Sequence, residues 1–182
     1  MDRLSVVVAA MVTAMALAVT VILVADGTPA ARIAAEDLEW TLRLREAEAA
    51  LAAGDGQTAV ARLRAAHQAA LRTGRWEALT DVGDAARRAR DLAAPPPRAS
   101  ATASRAYLAG LARAREQHSV EGVLRVAEGF AALGDGEMVE YCIGVAGRFA
   151  ASDGSGEHVT RVDTFVQRYR ETRTTASEGL RE

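Results

Sequence analysis

The sequence predicts an all-α protein: one N-terminal membrane helix followed by seven antiparallel helices in two duplicated units. Three observations carry this. Apolar residues make up 49% of the chain, much of that alanine, the strongest helix former, while aromatics are only 4%. β-Branched and aromatic residues, the strand formers, are scarce after residue 25. The tripeptide Gly54-Asp55-Gly56 returns 80 residues later as Gly134-Asp135-Gly136, and at that offset residues 41–91 match 121–171 without a gap, with 16 identities in 51 positions. Self-similarity of this kind marks an architecture in which each unit buries its apolar face on its neighbour.

Residues Leu4 to Ala25 run for 22 residues without a charge. At ~1.5 Å per residue the run spans about 33 Å, enough for a ~30 Å hydrocarbon core. An uncleaved anchor is expected, because a signal peptide has a shorter apolar region, ~7–15 residues, and a stronger positive start than Arg3 beside Asp2. Cleavage after Ala25 or Ala30 is the alternative and would release a secreted or periplasmic soluble helical adaptor. Ala10, Ala14 and Ala18 fall on one face of the run, a small-residue stripe suited to close helix packing in a bilayer. The short N-terminal tail places the remaining chain outside the cytoplasm.

Asp26-Gly27-Thr28-Pro29 breaks the run and starts the first helix, about 30–53, with Ile33, Leu38, Leu42, Leu44, Ala47 and Leu51 as its apolar stripe. Gly54 is a left-handed stop and Asp55 the next cap. The second helix covers about 57–72 and ends at Gly74; the third covers about 76–92, with Trp76, Leu79, Val82 and Ala86 inward. Pro95-Pro96-Pro97 favours a stiff polyproline spacer between the two units. The fourth helix, about 101–116, carries Tyr107, Leu108 and Leu111; Ser119 caps the fifth, about 120–133; the sixth and seventh cover about 137–151 and 157–172. The expected division is an anchor at 1–27, a first helical unit at 28–92, a Pro-rich joint at 93–99, a second unit at 100–172 and a flexible tail at 173–182.

Within this pattern, Gly54, Ala59, Leu63 and Ala66 share their spacing with Gly134, Val139, Ile143 and Ala146, and Val123, Val126, Ala127 and Phe130 lie upstream of the second set. These residues resemble the tetratricopeptide repeat. The resemblance covers about 41–91 and 121–171. Arg43, Glu46, Ala47 and Ala50 match it poorly in the first unit, and Leu71 and Ala151 stand where its terminal proline would be. It implies antiparallel helix pairs stacked into a short curved array whose concave face binds another protein.

No catalytic constellation emerges. His67, His118 and His158 share no metal-ligand spacing and read as surface or capping residues, and Cys142, the single cysteine, falls on an apolar stripe as a buried thiol. Gly-Asp-Gly lacks the lysine of a phosphate loop and is helix punctuation. An enzyme, a cofactor and a metal are therefore not expected. A formal net charge of −2 argues against nucleic acid. The chain has neither Lys nor Asn, a bias that fits a GC-rich bacterial genome. Charge is unevenly spread: residues 61–115 hold 11 Arg against four acids, and 116–140 one Arg against six acids. The functional expectation is a single-pass protein of the bacterial inner membrane whose C-terminal domain binds other proteins, as scaffold, assembly factor or accessory subunit. Trp76, Tyr107 and the cluster Arg87, Arg88 and Arg90 are the candidate contacts.

Overall fold

The computed structural model of the chain describes residues 29–92 and 97–178. The expected anchor with Ala10, Ala14 and Ala18 lies outside the described residues, as do 93–96 of the Pro-rich segment. Seven helices form among the described residues: α1 (Pro29–Ala52), α2 (Gly56–Thr73), α3 (Trp76–Leu92), α4 (Pro97–Glu116), α5 (Val120–Leu133), α6 (Gly136–Asp153) and α7 (Gly156–Glu178). None is long and apolar enough to cross a membrane.

Short turns force neighbours to run antiparallel. The broadest contacts join α1 to α2, α3 to α4 and α5 to α6, and each helix also packs on the next. The odd helices touch one another in succession, α1 to α3, α3 to α5 and α5 to α7, so they form one layer without a gap. The packing is sequential and repeat-like.

The 80-residue match in sequence reappears in the backbone. α2 and α6 are both 18 residues long, start at that offset, and are capped by Asp55 on the Thr58 amide and by Asp135 on the Met138 amide. Gly54 and Gly134 take left-handed φ values of 75° and 80°, and their neighbours close the same backbone hydrogen bonds back into α1 and α5. An alanine there is forced into a conformation that costs an L-residue about 1–2 kcal/mol. Gly134→Ala is therefore expected to lower stability by about that amount in urea unfolding, although a Cβ at Gly134 meets nothing within 4 Å. His118 holds the equivalent left-handed place between α4 and α5, at φ 52°, with its ring on Phe149.

The core consists of small side chains at close range. Ala47, Ala59, Ala66, Ala86, Ala106 and Ala127 are fully buried, and the largest fully buried side chains are Tyr107 and Phe130. Several expectations need correction. α1 turns Trp40, Leu44, Ala47 and Leu51 inward onto the core and leaves Leu38 70% and Leu42 52% exposed, with exposed ion pairs to α2 and α3 at the edges of the buried face. Leu108 of α4 and Val159 of α7 are exposed as well. α4 starts earlier than expected, at Pro97, where a fixed φ and a missing N–H suit a first turn. α7 runs on to Glu178, since the chain meets no Gly or Pro before Gly179.

Cys142 is buried, and burial, with Asp135 adding to it, pushes its thiol up to about 12. The thiolate is the reactive form. Cys142 is therefore expected to resist a disulfide reagent at pH 8 in the native protein and to react fully once unfolded, which a colorimetric thiol assay reads directly. His67 departs from the surface role expected of it: it is half-buried and its Nδ1 has no hydrogen-bond partner. Desolvation, assisted by Arg105, lowers its pKa. As pH falls through the ordinary histidine range near ~6.5, the unfolded chain then takes up a proton that the folded chain refuses, so stability falls with pH. His67→Gln is expected to flatten that part of the pH–stability curve measured by urea unfolding.

Candidate functional site

Beneath the odd-helix layer, three helices are tied together around one buried tyrosine. Tyr107 of α4 is fully buried and reaches between α3 and α5. It fits because both neighbours present glycine there. A Cβ on Gly129 would lie 2.5 Å from the ring, and one on Gly83 would meet the same ring at 2.7 Å or less. The Tyr107 hydroxyl donates to Asp84 Oδ1 at 2.7 Å, and Arg125 of α5 pairs with the other oxygen, Oδ2. One carboxylate on α3 thus ties α4 and α5 together. Burial and the adjacent Asp84 carboxylate raise the phenol pKa far above its usual value, so Tyr107 stays a donor at any physiological pH. Burial works against the Arg125 charge, but Asp84 overrides it and the guanidinium pKa rises.

Arg125 also forms the start of an open groove between α5 and α7. Its first part, about 360 Å³, is bounded by Leu124, Arg125, Glu128, Arg161, Phe165 and Arg168. Its second and larger part, about 630 Å³, shares Glu128, Phe165 and Arg168 and adds Ala131, the Gly134–Gly136 turn, Tyr169 and Arg173. Phe165 and Tyr169 stack at 6.3 Å, and the Arg173 guanidinium lies 5.8 Å from the Tyr169 ring centre, giving an aromatic floor with a cationic rim. Arg161 is held by Glu157 at 2.9 Å, and Arg173 lies 3.7 Å from Glu140. Arg168, exposed at the junction of the two parts, has no ion pair among the described residues. An apolar floor with fixed charges around it suits a segment that brings side chains and carboxylates of its own.

The residues expected to make partner contacts are placed differently from one another. Trp76 starts α3, half-buried, with its ring against Gly122 of α5, where a Cβ would come within 2.8 Å of it. Tyr107 is a correction: with its ring and hydroxyl taken up inside the fold, it presents no surface to a partner. Arg88 is exposed and paired with Glu48 of α1 at 2.8 Å. Arg87 is half-buried, beside the Tyr107 hydroxyl, with its Nε unpartnered. The side chain of Arg90 lies outside the described ones. The structure therefore does not gather Trp76 and the arginines into one patch; it gathers Arg125, Arg161, Phe165, Arg168 and Tyr169, which lie 44 residues apart at their extremes. Among the described residues no three metal-binding side chains converge.

No protein-family model matches the chain, and no curated protein or solved structure is significantly similar to it.

Proposed function

We propose that the protein is a membrane-anchored interaction module, and that the groove between α5 and α7 receives a segment of another protein. The anchor is the uncharged run Leu4 to Ala25, and the domain that follows acts as scaffold, assembly factor or accessory subunit of a larger bacterial membrane complex, on the extracytoplasmic side. The mechanism is binding alone, and confinement to the bilayer raises the effective concentration for a partner in the same membrane. The observation that carries this reading is the groove itself: about 630 Å³, floored by Phe165 and Tyr169 and centred on an arginine without an internal carboxylate.

The sequential helix hairpins, the repeated Gly-Asp-Gly punctuation and the continuous odd-helix layer support a tetratricopeptide-like array. In a curved two-layer stack the inner helices lie closer together, and the successive odd-helix contacts support a reading in which the groove lies on the inner side. The test is extraction of the native membrane in mild detergent, sizing, and mass spectrometry of what co-purifies. Wild-type protein is expected in a large stoichiometric assembly. The double variant Arg168→Glu, Tyr169→Ala is expected to leave that assembly. Arg168 is exposed and its change shifts stability by about 0.5 kcal/mol or less, whereas half-buried Tyr169 packs on the core and its truncation costs about 1–3 kcal/mol, so circular dichroism of the variant and the single Arg168→Glu are the controls for folding. A wild-type species running alone at 19.2 kDa overturns the reading.

A further inference from the structure

The excess of arginine over acid between residues 61 and 115 becomes a one-sided surface in the fold. All four acids of that stretch, Glu77, Asp81, Asp84 and Asp91, lie on α3, in the odd-helix layer. The even helices α2 and α4 touch one another and hold seven arginines against one acid, Glu116. Their formal charge is +6, so the rest of the chain carries −8 to give the whole its −2. Every other helix among the described residues holds at least as many acids as arginines; α7, for one, balances four with four.

The outward stripes of the two helices bring this charge to water. On α2 the stripe is Gln57, Ala61, Arg64, Gln68 and Arg72, and on α4 it is Arg105, Leu108, Ala112 and Arg115; all are exposed. Ala59, Leu63 and Ala66 of α2 and Ala106 and Ala114 of α4 are buried on the far sides. Arg62 and Arg72 are held at the edge of the face by Glu46 and Glu39 of α1, at 3.2 and 2.8 Å, and Arg113 takes up Glu116 at 2.7 Å. Arg64, Arg105 and Arg115 have no ion pair among the described residues, and Arg115 donates at 3.0 Å to a neutral oxygen, the Tyr141 hydroxyl of α6. Among these arginines stand two large side chains, Leu108 and Tyr141, 48% and 45% exposed. Arginine heads around an exposed aliphatic group and an amphipathic tyrosine are the composition of a surface that rests at a lipid interface.

We propose that the α2–α4 face lies on the anionic phospholipid headgroups of the bilayer that holds the anchor, with Arg64, Arg105 and Arg115 on lipid phosphates and Leu108 at the acyl boundary. This rests on the anchored reading given above. Three residues, Asp26 to Thr28, separate the uncharged run from α1, a reach of ~10 Å when fully extended, so the domain stays beside the headgroups. Charge then selects the face. The acids of α1 and α3 are repelled by anionic headgroups, and the stripes of α2 and α4, which hold no acid, are drawn to them. An acidic protein would satisfy the same arginines, but the tether keeps lipid at a fixed short distance, and Leu108 stands among the charges where an acyl boundary receives it. In this pose the odd-helix layer, and the groove with it, turns to the aqueous phase, where a partner segment reaches it.

The test uses the full-length protein in vesicles, with a nitroxide spin label at position 112 through Ala112→Cys and, as control, at position 167 of α7 through Gln167→Cys, each with Cys142→Ala. In vesicles of mixed phosphatidylcholine and phosphatidylglycerol, the label at 112 is expected to relax more with oxygen, which concentrates in lipid, than with a water-soluble nickel chelate, and the label at 167 the reverse. Phosphatidylcholine alone, or high salt, is expected to return the label at 112 to water. An arginine near an anionic surface contributes about fivefold, so Arg64→Gln, Arg105→Gln and Arg115→Gln together are expected to weaken the docked pose on the order of 100-fold, with helicity unchanged. A label at 112 that stays aqueous in the mixed vesicles, lipid contact as strong in phosphatidylcholine alone, indifference to the triple variant, or protection of 112 in native membranes only, the mark of an acidic protein, each overturns the proposal. Extraction with alkaline carbonate scores the anchor separately. Retained protein with an aqueous position 112 removes the face and leaves the anchored interaction module standing; protein washed from the vesicles removes the anchor and the proposal with it.

Discussion

Tyr107→Ala is expected to destabilise the protein by about 3–5 kcal/mol, the range for removing a large aromatic from a core that cannot collapse into the space. Collapse is limited here because Gly83 and Gly129, which face the ring from α3 and α5, carry no side chain to fill the space. Tyr107→Phe keeps the ring and drops only the hydroxyl bond to Asp84, so its loss is expected near 1–2 kcal/mol. Urea unfolding of the full chain in mild detergent, followed by circular dichroism, reads both. The glycines supply a reciprocal check. Gly129→Ala puts a methyl 2.5 Å from the Tyr107 ring and is expected to cost about 1–3 kcal/mol by overpacking. Combined with Tyr107→Leu, which vacates that space, the same Gly129→Ala is expected to cost far less than it does alone. Strict additivity in this double-mutant cycle would mean the ring is not wedged where the structure places it.

Asp84→Ala carries the second large effect. It strands two donors at once, the Tyr107 hydroxyl and the Arg125 guanidinium. Breaking a fully buried pair costs about 3–5 kcal/mol, but the Arg125 side chain is 36% exposed and recovers part of its hydration, so about 2–3 kcal/mol is expected. Asp84→Asn retains one acceptor and is expected to fall between Asp84→Ala and wild type. The contrast is Glu48→Ala, which removes the exposed pair with Arg88 and is expected to cost about 1 kcal/mol or less, declining further with salt. If Asp84→Ala were as mild as Glu48→Ala, the three-helix tie would be a surface contact rather than part of the core.

Helix existence, the caps and the helix ends marked by glycine could be read from the chain because they depend on neighbours in sequence; the start of α4 and the end of α7, which carry no such mark, were misplaced. Alanine content decides helix over strand, and Gly-Asp-Gly places a left-handed stop and an N-cap within three residues; Gly54/Asp55 and Gly134/Asp135 do both in the structure. Periodicity found the inner residues of α5, such as Val123, Ala127 and Phe130. It went astray on α1, where Leu38 and Leu42 look as apolar as Leu44 and Leu51. Trp40 and Leu44 face inward because they pack on apolar residues of α2, α3 and α4, among them Ala66, Leu79 and Ala106, and those partners lie well along the chain. The groove was out of reach for a similar reason. Nothing local marks Arg168 or Tyr169, and they become a site only when α7 is laid beside α5.

Sequence by itself therefore determined the helices, their punctuation and the 80-residue repetition, since each follows from backbone preference over a few consecutive residues or from comparison of the chain with itself. The tertiary structure alone decided that Tyr107 is an internal wedge rather than an exposed contact, that Asp84 joins three helices, and which faces of α1 and α7 meet water. Those outcomes depend on which side chains arrive opposite one another across a helix interface. Gly83 and Gly129 acquire their meaning only once a tyrosine from a third helix occupies the space they leave.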